Sequence, residues 1–219
     1  MSLFLGPIHH WLYNKIILFE RLEKYILDGL IAEVGKEAEI LYGEACDRYG
    51  QPLDQEKTLE EIIDLDNIHQ WLQDKIQRAE LRHGYFLNKS IEKFGDLAYE
   101  VALEYYAKQG KYCGEKCEEE ARPQNAQELY DQLNNYILDG MPCDHVNQVQ
   151  ISEPDLVQWE VTQCLHIDYW NQVGIDPNKM YKLRETWIDA FVAYANSHYE
   201  YRFTNDNGIL KHVIQKVTQ

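Results

Sequence analysis

Basic residues are scarce in this chain: 21 Lys and Arg stand against 37 Asp and Glu, a formal charge of −16 over 219 residues. That charge repels phosphate backbones and anionic lipid, so nucleic acid is not expected as a partner. Long apolar runs are missing as well. No window reaches the roughly 18 uninterrupted apolar residues of a membrane-spanning helix. The N-terminal stretch MSLFLGPIHHWLYNK has neither a basic leader nor a small-residue cleavage site. The expected setting is the cytoplasm, without a membrane partner.

Cysteine is sparse and odd in number. Five residues (Cys46, Cys113, Cys117, Cys143, Cys164) cannot form a disulfide scaffold and favour a reducing compartment. Cys143-x-His145, Cys164-x-His166 and Cys113-x3-Cys117 match no common zinc module, and their expected role is that of ordinary thiols. Catalytic fingerprints are lacking: there is no phosphate-binding glycine loop, no dinucleotide-binding glycine pattern, no His-Glu-x-x-His and no nucleophile elbow. Only six prolines occur, and all fall between segments of helical period. That punctuation suits a helical protein.

What the chain does have is a repeat. Residues 8–50 align without a gap to residues 68–110, with 14 of 43 positions identical. Unrelated chains agree at roughly one position in fifteen, so the two stretches are expected to be copies of one αα-hairpin. Apolar spacing predicts helices over 7–27, 30–49, 67–87 and 90–109, with Asp28-Gly29 stopping or bending the first. Residues 111–125 read as a loop or joint. Further helices are expected near 129–141, from Ser152 to about Val173, and from Pro177 to about residue 200. The tail around Asn207-Gly208 fits either a small hairpin or a frayed helix. The expected fold is therefore all-α: duplicated hairpins in an up-down four-helix bundle over 1–112, and a three-helix C-terminal region over 113–219.

The polar residues kept in both copies are the informative ones: His9/His69, Trp11/Trp71, Lys15/Lys75, Glu20/Glu80 and Glu44/Glu104. Gly35/Gly95 is expected to mark a close approach of helices. If each hairpin turns at its midpoint, Lys15 lies level with Glu44 and Lys75 with Glu104, which predicts two ion pairs across the hairpins.

Glu20 and Glu23 are three residues apart, as are Glu80 and His83, so each pair projects from one helix face. Glu-x-x-His is the spacing by which helical bundles present ligands to metal ions. Glu20, Glu23, Glu80 and His83 are thus the candidate ligands of an iron or manganese centre, since hard carboxylates with one imidazole suit those ions. Converging glutamates need a counter-charge, and an arginine or lysine from a neighbouring helix is the rival to a metal. His9 and His69 stand roughly 16 Å away along the axis, too far to join. The alternative function is a binding or oligomerisation module without metal, suggested by 16 tyrosines and 5 tryptophans. His166, Asp168, Tyr169 and Trp170 are read as core.

Overall fold

A computed structural model describes residues 5–144, 146–161, 163–206 and 208–217, with the backbone alone at Pro142. The chain divides into two compact units. The first takes the residues up to Val101, together with Leu138–Met141 and His166–Asp176. The second takes Ala102–Ile137, Pro142–Leu165 and the chain from Pro177 onward.

The first unit is helical. Helix α1 runs Pro7–Val34, α2 Lys36–Tyr49, the short α3 Leu59–Ile62, and α4 Ile68–Phe94. Pro7 occupies the first turn of α1, where its missing N–H costs nothing. Buried Leu12, Ile16, Ile26 and Leu30 then recur along one stripe, and the stripe continues straight through Gly29. For that reason the expected break at Asp28-Gly29 does not occur. The break falls at Gly35, whose φ of +70° is open to glycine and closed to most side chains. Gly95 does the same after α4, with φ +62°. A Cβ at either glycine would meet nothing within 4 Å, so they are turn residues and not the close-approach points expected.

Moving the turn from residue 29 to Gly35 changes which residues face each other. The cross-hairpin ion pairs expected from a midpoint turn do not form. Lys15 lies with its ammonium 3.9 Å from the Trp11 ring centre, and Lys75 stands 5.1 Å over Trp71 and 3.3 Å from Asp74. Glu44 is exposed, and Glu104 pairs with Lys108 one turn along its own helix.

Helices α1 and α4 run parallel with residue n near residue n+60, His9 beside His69 and Glu20 beside Arg82. Between them Leu12, Ile16, Ile68, Leu72 and Ile76 form one buried cluster with Leu138 and Met141. Helix α2 packs against both, and α7 (Ile167–Val173) packs on α4.

The second unit overturns the all-α expectation. It holds a four-stranded antiparallel sheet in the order β1-β2-β4-β3, built from Asn147–Glu153, Leu156–Val161, Ile209–Lys216 and Tyr199–Asp206. Ser152-Glu153-Pro154-Asp155 suggests a helix start, yet it closes the β1–β2 hairpin. The competing signal is alternation: Val157, Trp159 and Val161 point one way, and Val157 and Trp159 are buried. Only Ile167–Val173 of the helix expected between Ser152 and Val173 is present. The tail resolves in favour of the hairpin, β3 pairing β4 from Tyr199↔Lys216 to Asp206↔Ile209.

Helices α6 (Ala126–Leu133) and α8 (Pro177–Ala195) cover the sheet, where Val157, Trp159, Tyr199, Tyr201, Leu210 and Ile214 are buried. Helix α5 (Asp96–Glu120) continues through the first ten residues of the stretch 111–125 expected to be a loop. Tyr106, Gln109, Cys113 and Cys117 form its buried stripe. Gly110 and Gly114 on the same face let the α8 backbone come close: a Cβ at Gly114 would stand 2.5 Å from Phe191 O.

Candidate functional site

The first unit buries more charge than an ordinary core. Glu20, Glu23, Glu80, Arg82, His83 and His166 are all under 9% exposed, and they come from α1, α4 and the start of α7. Ionisable groups at such depth persist only when paired, because desolvation of an isolated charge costs more than folding supplies.

Arg82 is the pairing group for α1. Its Nη2 donates to Glu20 Oε1 at 2.7 Å and its Nε to Glu23 Oε1 at 2.7 Å. Its Nη1 donates to the Gly50 carbonyl at 3.1 Å, where α2 ends. The planar fork thus ties α1, α2 and α4 at one level, a geometry that a lysine ammonium would not reproduce. Glu20 Oε2 accepts from Leu53 N at 2.9 Å, and Glu23 Oε1 accepts from the Tyr42 hydroxyl at 2.9 Å. Glu23 Oε2 takes no hydrogen bond among the described residues and lies 3.9 Å from His83 Nδ1.

Burial dominates the proton affinities. It pushes Glu23 up to about 6 against the pull of Arg82. Burial also drives His83 down to about 4, with Glu80 opposing and Arg82 reinforcing, so His83 is neutral at physiological pH. Its ring packs on Phe19 at 4.8 Å between centroids. Burial disfavours the Arg82 charge, but Glu23 and Glu20 outweigh it and keep the guanidinium protonated. The Tyr42 hydroxyl is pushed up by burial and by Glu23, so it serves as a donor.

Glu80 turns to a different partner. His166 Nδ1 lies 2.9 Å from Glu80 Oε1, and His166 Nε2 lies 3.4 Å from Asp139 Oδ1. With Glu80 ionised, its carboxylate accepts and the ring donates through Nδ1. Its face stacks on Trp170 with ring centroids 5.4 Å apart. Asp139, with its side chain a quarter exposed, is the member of this chain of groups that reaches solvent.

Of the four residues picked out as metal ligands, Glu20 and Glu23 are therefore brought together around Arg82, His83 stands beside Glu23, and Glu80 pairs with His166. Among the described residues, no three histidine, cysteine, aspartate or glutamate side chains are arranged to hold a metal ion. Sequence reasoning missed Arg82, Tyr42 and Asp139. One signal for Arg82 was present: it aligns with Leu22 at the offset of 60 residues, so an arginine stands where the first helix has an apolar residue.

The cysteines are ordinary thiols where they are buried. Burial raises Cys113 to about 12 and Cys117 to about 11, which leaves both protonated and unreactive at neutral pH. Cys143 is exposed, and its sequence neighbour His145 lies outside the described residues. Comparisons with protein-family models, with curated proteins and with solved structures find no match to this chain.

Proposed function

We propose that this protein is a cytoplasmic binding or assembly module, with no nucleic-acid or membrane partner, whose ionic cluster serves to fix helix packing. The observation that carries this reading is the position of Arg82: a guanidinium at 0% exposure already supplies the counter-charge that Glu20 and Glu23 require. A catalytic group has to touch substrate, and Glu23, Arg82 and His83 are sealed from it. Side chains suited to contact with a partner lie elsewhere, Ile40 and Tyr112 among them, each about 60% exposed. The matching residues of 8–50 and 68–110 support descent of both stretches from one duplicated hairpin, and homo-oligomer formation is part of the same reading.

A second reading has one observation in its favour. The unbonded Glu23 Oε2 and the His83 Nδ1 stand 3.9 Å apart, a gap that one ion bonded to both would span. An iron or manganese ion held by Glu20, Glu23, Glu80 and His83 would have to displace Arg82 from its two carboxylates.

One experiment separates the two. Metal content is measured on untagged protein, alongside sedimentation over a wide concentration range. The module reading expects less than about 0.2 metal per chain and a mass above that of one chain at high concentration. Stoichiometric iron or manganese, lost in Glu23→Gln with His83→Gln, would establish the second reading and end the first.

A further inference from the structure

The first turn of α1 is held by an unusual cap. Gly6 stands at the N-cap position and has no side chain to offer, and the first turn contains no acidic residue. The cap comes from His9 instead: Gly6 N donates to His9 Nδ1 at 3.0 Å, while His9 N donates to Gly6 O at 3.0 Å. The first of these bonds is the half of a capping box usually made by a glutamate or glutamine three residues into a helix, and the second is an ordinary backbone bond of a first turn. An imidazole plays that role only while Nδ1 is unprotonated, because Nδ1–H would face another N–H.

The surroundings oppose protonation. His69 of α4 presents its ring edge-on to His9, with centroids 6.0 Å apart. His10 lies next in sequence, and its Nε2 stands 3.3 Å from Glu60 Oε1 on α3. Burial first, then His69 and His10, lower the proton affinity of His9. A cation at this point would also sit on the positive end of the helix dipole. What the turn holds in place is Leu5, which packs against two buried clusters, one around Leu12 and Leu72 and the other around Tyr13, Ile17 and Leu59.

We propose that the first turn of α1 is an acid-released latch, in which His9 Nδ1 closes the turn when neutral and, on taking a proton beside His69, opens it and frees Leu5. The sign follows from the direction of the shift. A histidine whose affinity is lowered on folding stabilises the closed turn above its ordinary value of 6.5, and that stabilisation is lost as pH falls through its folded value. His9 and His69 occupy equivalent places in the two copies, so duplication of one segment has brought two imidazoles side by side. The start of α4, at Asn67, has no side-chain acceptor of this kind at its cap, so the response belongs to α1 and not to α4.

Hydrogen exchange on the full chain, corrected for intrinsic rates, tests this at about pH 7.5 and about pH 5. Peptides covering the first turn of α1 are expected to lose about fivefold protection at the lower pH, the worth of one neutral hydrogen bond, while the middle of α1 keeps its own. His9→Gln supplies an acceptor that does not titrate and should abolish the loss. His69→Gln removes a like charge and should move the opening to higher pH. In the unmodified protein the imidazole titration of His9, followed by NMR, should share its midpoint with the exchange. Protection independent of pH, a loss shared by the whole helix, a loss unchanged in His9→Gln, or a His9 midpoint displaced from the exchange midpoint would each overturn the latch.

Discussion

Arg82 and Glu20 meet at 2.7 Å with side-chain exposures of 0% and 3%, and the same guanidinium holds Glu23 at 2.7 Å. Two carboxylates against one guanidinium leave the trio short of a positive charge. Burial first, and the neighbouring Glu20 charge as a lesser cause, hold Glu23 above the usual carboxylate range against the pull of Arg82.

Removing the shared cation should therefore cost far more than removing the whole trio. Arg82→Met leaves Glu20 and Glu23 buried beside each other and should lower stability by about 3–5 kcal/mol. Adding Glu20→Gln and Glu23→Gln to that variant should restore a large part of the loss, because no uncompensated charge remains. Urea unfolding of the single and triple variants checks this. A triple variant less stable than Arg82→Met would show that the glutamates are held by something other than Arg82.

The cluster also predicts opposite pH responses from two neighbours. Glu23 is raised from 4.5 to about 6, so it stabilises the fold fully below 4.5, and this contribution is lost as pH rises through about 6. His83 is lowered from 6.5 to about 4, so its contribution is present above 6.5 and lost as pH falls through about 4. Between about pH 6 and 4.5 the two nearly cancel. Unfolding free energies measured in that window should rise on acidification in His83→Gln relative to the unmodified protein, where of the two only Glu23 titrates, and fall in Glu23→Gln, where of the two only His83 does. Each slope should approach about 1.4 kcal/mol per pH unit, the limit for one proton. Slopes of the same sign in both variants would contradict the assignment.

Much of the first unit was legible in the sequence because apolar residues at helical spacing need only one packing solution. The Leu12/Leu72 and Ile16/Ile76 pairs lie in the buried cluster for that reason. Turn positions were not legible. Asp28-Gly29 and Gly35 carry the same residue type, and the difference is that the buried stripe continues through Leu30, which only packing shows. The sheet was hidden by two overlapping signals. Ser152-x-Pro154-Asp155 is as good a helix start as it is a hairpin turn, and period-two alternation over Val157, Trp159 and Val161 had to decide between them. Of the site, Glu20, Glu23, Glu80 and His83 were picked out by spacing, but as metal ligands and without their partners. Their partners Arg82, His166 and Asp139 come from positions whose meeting depends on the tertiary fold.

Glycine has two opposite meanings along this chain. A methyl group at Gly110 would overlap the Trp187 carbonyl oxygen, and one at Gly114 would lie 2.5 Å from that of Phe191. Neither obstacle is the end of a flexible side chain, so α5 and α8 would have to move apart. Gly110→Ala and Gly114→Ala should each cost about 1–3 kcal/mol or more. Gly43 lies in the middle of α2, and a methyl there would meet nothing within 4 Å. Gly43→Ala should stabilise by about 0.5–1 kcal/mol through helix propensity alone. Thermal unfolding of the three variants gives the comparison, and a stabilising Gly114→Ala would contradict the close helix crossing.

The turns after α1 and α4 offer a finer test, because space and backbone conformation separate there. Gly35 has φ 70° and ψ −146°, and Gly95 has φ 62° and ψ −138°; both leave room for a side chain. Any penalty must come from the backbone. This region of positive φ with ψ far from zero is essentially restricted to glycine, unlike the left-handed helical region that asparagine tolerates. Alanine and asparagine should therefore cost alike at both positions, about 1–3 kcal/mol each. Gly174, which ends α7 with φ 79° and ψ 12°, lies in the left-handed helical region. There asparagine should be clearly less costly than alanine. Denaturant unfolding of the six variants measures the differences. An asparagine advantage at Gly35 equal to that at Gly174 would mean that the turn after α1 is an ordinary left-handed cap. Unequal costs at Gly35 and Gly95 would show that the two turns do not share one backbone geometry.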